Sequence, residues 1–410
     1  MAWRRTLALC AALVAIPSVA QAQAGPTGRV RYLGGYTHDS PAIYGANDDW
    51  WAGVVPEVSY LFLEPRWMLR ATYAFTAAVH TRNPAEIANR LSLVSSYELS
   101  RRTNLLLSAD ANQTSLSNYL VTRPITETAT VLLPPSNRRF LTLTASQGIT
   151  WEASPNVLFG QGVDATYVTS LDPQVTINNV FVGALLSLER TWKRDAVGGE
   201  LRAAYAGVDT PPTPSGRFMT FTAAPRWRHD WSAAWSSMLA AGASLVVSPD
   251  TGTDPFVTPS ARAAVLYSPV DDASVELSYT GGVTPNVLTG QLFRSHLVTV
   301  RGLTTLSERH RVTLGASVGF LNGRIIELRD GALGPEFNGL LSDADVSWLA
   351  TDWMQLFARA VLQGQDNGPD VEAFVREAVI VGVQFSTRSP DGVAIPIRFP
   401  QRVDRSDAGR

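Results

Sequence analysis

The feature that most restricts this chain is a period-two alternation of apolar and polar residues, sustained over ten or more residues and repeated along its length. Val58, Tyr60 and Phe62 alternate with Glu57, Ser59 and Leu61. After Glu64-Pro65-Arg66, Trp67, Leu69, Ala71, Tyr73 and Phe75 alternate with Met68, Arg70, Thr72, Ala74 and Thr76. Val275, Leu277 and Tyr279 alternate with Glu276, Ser278 and Thr280, and Val312 to Phe320 repeats the pattern. A helix would space its apolar residues three and four apart. Two-faced extended segments of this length suit strands that cross a bilayer, which takes about 9–11 tilted residues.

The connections between these segments come in two kinds, and the kinds alternate. Short ones fall near 63–65, 100–103, 152–156, 192–196, 230–233, 268–272, 305–309 and 350–352. Longer ones, rich in Pro, Gly, Asp and Asn, fall near 38–50, 79–86, 117–137, 169–177, 209–216, 247–257, 283–293, 322–337 and 364–371. Eight and nine connections imply eighteen strands, with both termini on the short-turn side. The expected fold is therefore all-β: a transmembrane antiparallel outer-membrane β-barrel with short periplasmic turns and longer extracellular loops. Lipid offers no partner to a backbone N–H or C=O, so such a sheet must close, here by pairing 27–37 with 372–385.

The N-terminus reads as a secretory leader. Arg4 and Arg5 precede an apolar run from Leu7 to Ile16, and Ala-Gln-Ala at 20–22 and 22–24 fits signal-peptidase cleavage. The expected organisation is a signal peptide at 1–24, a barrel at 25–385 and a disordered periplasmic tail at 386–410, where Pro390, Pro396 and Pro400 lie. Cys10 falls in the leader, so the mature chain has no cysteine. Loss of Arg4 and Arg5 takes the formal charge from −2 to −4, and no basic stripe suggests nucleic acid.

Aromatics cluster beside the short connections: Trp67, Tyr97, Trp151, Trp192, Trp227, Trp231, Trp235, Tyr267, Trp348 and Trp353. Amphipathic rings favour a membrane–water boundary, so these are the expected periplasmic girdle. Phe385 is the candidate terminal aromatic for the barrel-assembly machinery, with Phe399 second. If the apolar face meets outer-membrane lipid, the other face puts Glu57, Arg70, Arg90, Glu98, Asp110, Asp164, Glu200, Arg202, Arg262, Glu276, Asp343, Asp345, Arg359 and Arg376 in the lumen. They are expected to brace the wall as ion pairs and to make a polar passage. The loop at 117–137 is long enough to fold inward as a constriction, and equally suits a surface loop.

Catalysis is not expected. The five histidines are scattered; His229-Asp230 near Ser232 resembles a triad fragment, and His38 and His80 sit in adjacent loops where they could meet. No phosphate-cradling loop or paired metal-ligand motif occurs, so neither cofactor nor metal is expected.

The segment Asn89-Arg90-Leu91-Ser92-Leu93, then Tyr97-Glu98-Leu99-Ser100-Arg101-Arg102-Thr103-Asn104-Leu105, resembles β-barrel porins encoded beside exopolysaccharide export systems. Leu306-Ser307-Glu308-Arg309-His310 supplies a second instance. The resemblance implies an outer-membrane conduit for a secreted polysaccharide, working with a periplasmic export protein. Two other functions remain open: a general diffusion porin for small solutes, and a non-transport scaffold or adhesin.

Overall fold

The computed structural model describes residues 25–40, 48–115, 139–172, 177–210, 213–250, 253–270, 272–285, 292–306, 311–326, 333–366 and 373–387. They form one antiparallel sheet of eighteen strands, closed on itself, with no helix among the described residues. In chain order the strands are β1 (Gly25–Ser40), β2 (Asp48–Glu64), β3 (Trp67–His80), β4 (Glu86–Ser100), β5 (Thr103–Ser115), β6 (Arg139–Ser154), β7 (Val157–Ser170), β8 (Asn178–Thr191) and β9 (Asp195–Thr210). Then follow β10 (Thr213–Asp230), β11 (Trp235–Ser248), β12 (Thr253–Val270), β13 (Ala273–Pro285), β14 (Leu292–Leu306), β15 (Val312–Ile326), β16 (Leu333–Thr351), β17 (Met354–Asp366) and β18 (Phe374–Ser386). Each strand pairs with its sequence neighbours, and β1 also pairs with β18, from Arg29↔Ser386 to Ser40↔Val375.

The number of strands and the order of connections agree with the alternation read from sequence. Two of the nine connections expected to be long are short. Only residues 211–212 separate β9 from β10, and only 249–252 separate β11 from β12. The prolines near 211–214 suggested a loop. Pro214 instead lies within β10, where the β9–β10 register shifts between Thr213 and Gly216; such an irregularity tolerates a missing donor. Other in-strand prolines follow the same rule. The β2–β3 register is interrupted opposite Pro56, and the β10–β11 register opposite Pro225. The expected leader, the loop at 117–137, and the tail from 388 lie outside the described residues.

One seam departs from a regular barrel. The β12–β13 pairing ends at Ala261↔Gly281, although β12 begins eight residues earlier, at Thr253, and β13 runs on to Pro285 paired with β14. Gly282 at the parting point has φ +157°, a conformation essentially closed to residues with a side chain. The part of β12 left without β13 carries Pro255 and Pro259, which withhold donors from the exposed edge.

Beyond the seam, the tips of β13–β15 roll inside the barrel. Leu292 of β14 and Ile326 of β15, both almost wholly buried, join one apolar cluster with Phe181 of β8, Ala206 and Val208 of β9, Phe218 of β10 and Val246 of β11, and Phe256 and Val283 pack against it. Strands so far apart in the sheet can touch only across its concave side. A second cluster, Phe293, Leu297, Leu321 and Phe337, packs β14–β16 together, with the rings of Phe293 and Phe337 edge to face at 5.3 Å.

Where β18 meets β1, Arg376 is 1% exposed and donates to Asp39 Oδ1 at 2.7 Å and Oδ2 at 3.0 Å. Truncating one partner of a buried pair strands the other. Arg376→Ala is expected to lower unfolding free energy by about 3 kcal/mol, read from urea unfolding in detergent by tryptophan emission. A loss within error would show that the β1–β18 closure does not lean on this pair.

Candidate functional site: the concave face of the barrel

Register decides which side chains share a face, because directly paired residues project to the same side of a sheet. One row runs Arg29↔Glu57↔Ala74↔Arg90↔Asn112 over β1–β5. Another runs Glu276↔Arg301↔Ser317↔Asp343 over β13–β16. Traced in this way, the fourteen charged residues named from sequence all lie on one face. The opposite face carries Leu277, Val300, Phe320 and Val381, each 46–62% exposed.

Ion pairs identify the charged face as the concave one. Arg262 of β12 donates to Glu200 of β9 at 2.7 and 2.8 Å across two intervening strands. Arg226 and Arg228 of β10 reach Glu189 of β8 at 3.6 and 3.4 Å across one. Side chains of non-adjacent strands converge only inside the curve. Glu200 also holds Arg202 at 3.3 Å, Asp343 is held by Arg359 at 3.1 Å and by the Ser317 hydroxyl, and Arg90 meets Asp110 at 2.7 Å. Glu57 binds Arg29 and lies 3.9 Å from Arg31.

Sequence reasoning missed several members of this network: Arg29, Arg31, Asp39, Glu189, Arg226 and Arg228. A signal was present, since Arg226 and Arg228 flank Trp227 at the two-residue spacing already used elsewhere. It also missed the apolar cluster inside the long-loop end. That cluster is built where the strand tips of β13–β15 pack against β8–β11.

The ten aromatics named from sequence lie on the convex face or in the short turns. Three of them have their indole N–H engaged: Trp67 Nε1 donates to Ser95 Oγ at 2.9 Å, Trp227 Nε1 to Asp195 Oδ1 at 3.1 Å and Trp231 Nε1 to Ser237 Oγ at 2.9 Å. The rings of Trp235 and Tyr267 lie 4.4 Å apart, and Phe385 stacks on Trp353 at 5.8 Å.

Among the described residues the histidines are engaged by separate neighbours. His38, on the convex face, pairs with Asp48 at 2.8 Å, while His80, on the concave face, pairs with Asp49 at 2.6 Å, so the wall separates them. Asp49 also accepts from the backbone N–H of Thr81 and Arg82, both at 3.0 Å, which fixes the loop after β3. His229 turns to Asp195 at 2.7 Å, and Ser232 Oγ accepts from the N–H of Ala234 and Trp235 within its turn. Among the described residues no three His, Cys, Asp or Glu are placed to hold a metal. At the long-loop end, a hydrogen bond from Arg217 at 2.8 Å holds the Asp250 carboxyl below its ordinary pKa.

Fold and faces define the class: a closed antiparallel β-barrel, apolar on its convex side and braced by ion pairs within. No family model matches the sequence, and no curated protein matches it. Among solved structures the chain is similar to the FrpB iron transporter from Neisseria meningitidis, at TM-score 0.49 and 7% identity over 92% of this chain and 84% of that one. It is also similar to Pseudomonas aeruginosa OccK5, at 0.46 and 9% over 90% and 99%. A third, Acinetobacter baumannii OccAB3, gives 0.44 and 11% over 88% and 99%.

The wall pairs generate a stability prediction. Glu200→Ala leaves Arg262 and Arg202 without their carboxylate and is expected to cost about 3 kcal/mol. Adding Arg262→Met should recover most of that loss in a double-mutant cycle; additive losses would mean that the two residues do not brace each other.

Proposed function

We propose that this chain is an outer-membrane β-barrel channel through which small polar solutes diffuse. The observation that carries the reading is the division of the closed sheet into an apolar convex face and a charged, ion-paired concave face. A barrel in water gains nothing by exposing Leu277, Val300, Phe320 and Val381 together, whereas hydrocarbon accepts them. Eighteen strands about 4.8 Å apart and tilted by about 40° enclose a backbone radius of about 18 Å. Barrels of this size leave an aqueous channel once their inner side chains are accommodated.

In this reading residues 1–24 are removed on export, the girdle marks the periplasmic boundary, and the fourteen charged positions line the passage. Phe385, on the convex face of the last strand, is available for recognition by the assembly machinery. The rolled tips of β13–β15 favour small solutes over a polymer, because they narrow the long-loop end. A polysaccharide conduit with a periplasmic export partner rests on the strand–turn resemblance at residues 89–105 and 306–310, and the diffusion reading has the better structural support.

Purified mature protein is expected to form steady channels in planar bilayers; silence in repeated reconstitutions sinks the proposal. Replacing Leu292 and Ile326 together by Gln loosens the rolled tips and should raise single-channel conductance. Unchanged conductance would place the limiting constriction elsewhere. Lipid contact has its own test. Leu277→Arg, near mid-strand on the convex face, should cost about 2–4 kcal/mol for folding into vesicles. Ser278→Arg on the concave face should cost about 1 kcal/mol or less, and equal costs would contradict the assignment of faces.

A further inference from the structure

The charges of the concave face are mixed overall but not locally. Where β1–β4 meet β18 the wall is recessed into a cavity of about 460 Å³. Its lining includes four arginines, Arg29, Arg31, Arg70 and Arg90, and a single carboxylate, Glu57. Asp110, paired to Arg90 from outside the lining, is the second carboxylate. Among the described residues, four formal positive charges therefore gather with two negative ones. Glu57, 8% exposed, is committed to Arg29, which bonds it through both Nε and Nη2. Arg31 is less well served: its nearest Glu57 oxygen is 3.9 Å away, and its Nε is buried without a hydrogen-bond partner. Gln384 and Ser59 add neutral polar groups to the same recess.

Guanidinium groups crowded in a partly enclosed recess repel one another, and an oxyanion relieves that repulsion while accepting their forked donors. The volume lies within the range of small-molecule sites. We propose that this recess is a binding subsite for small anionic solutes, which it engages through a carboxylate or a phosphate group. The subsite deepens the reading of the concave face as a solute passage and rests on it. Arg31, with its unsatisfied Nε, supplies the surplus, Arg70 adds a further guanidinium to the lining, Arg29 is positioned by Glu57, and Arg90 is steadied by Asp110.

The test is titration calorimetry on the folded full-length mature protein in detergent, with inorganic phosphate and sodium gluconate as separate probes. Saturable binding of at least one probe is expected, and the probe that binds decides between phosphate and carboxylate. The Arg31→Gln, Arg70→Gln double variant should weaken that binding by about tenfold or more, the loss expected from a charge-assisted hydrogen bond. Arg324→Gln, which removes one charge at a strand tip far from the recess, should leave it unchanged. If the double variant does not fold, Glu57→Gln serves instead; removing the competing carboxylate should tighten binding severalfold, an effect of opposite sign to simple damage. Absence of saturable binding by either probe, or equal binding by wild type and variants, overturns the subsite. Bilayer conductance is read separately, so a conducting protein that binds neither anion sinks only the subsite, and a binding protein that conducts nothing sinks the channel.

Discussion

Every backbone N–H and C=O in a sheet needs a partner, and in this chain that requirement organises everything else. Closure of β18 on β1 gives the first and last strands their missing neighbours. The same requirement explains the placing of prolines. Pro56 and Pro225 stand opposite interruptions in a register, Pro214 at a shift, and Pro255 and Pro259 on the part of β12 that β13 has left. Once the ladder is fixed, side-chain parity follows, and with it the separation of an apolar exterior from a charged interior.

Parity makes the interior crowded with ions, and the chain meets this almost wholly with arginine. Lysine occurs once, at Lys193 in a short turn, while 33 of the 34 basic residues are arginine. A planar guanidinium with five donors can bridge strands in a way that a point-charged ammonium cannot. Arg262 reaches across two strands to take both oxygens of Glu200, and Arg376 takes both oxygens of Asp39. Most of the lumen charge is therefore spent on holding the wall. Around Arg29, Arg31, Arg70 and Arg90 four guanidinium groups gather against one lining carboxylate, and the buried Nε of Arg31 has no hydrogen-bond partner, which leaves charge there for a solute to use.

Strand number and most turn positions were legible in the sequence because each is local. Alternation within one segment decides a face, and a Gly- or Pro-marked break decides a connection. The partners of Glu189 and Glu200 were not legible, since they lie on non-adjacent strands and depend on the curvature of the closed sheet. Nor were the rolled tips of β13–β15. Gly281-Gly282, Pro255 and Pro259 were visible, but the pattern reading placed Pro255 in a loop near 247–257 and the next loop at 283–293, and read no parting between them. They mark instead a parting of two strands, and nothing local distinguishes a loop from strands that separate.

The parting has a physical cause that one strand makes plain. Leu292, Val298 and Val300 occupy the same face of β14, yet Val298 and Val300 are 40% and 46% exposed and Leu292 is 0% exposed. If hydrocarbon surrounds the lower part of the wall, Val298 and Val300 rest against lipid and need no cover. Leu292 and Ile326 lie nearer the long-loop end, above that layer, where the same convex face would meet water. Burying a leucine or isoleucine side chain is worth about 1.5–3 kcal/mol. The tips can obtain that only by turning their convex face against Phe181, Val208, Phe218 and Val246 on the inside of the opposite strands. Gly282 permits the turn, and the prolines of β12 protect the edge it leaves behind. In the channel reading, the inward roll at the long-loop end thus follows from where the surrounding solvent changes from lipid to water.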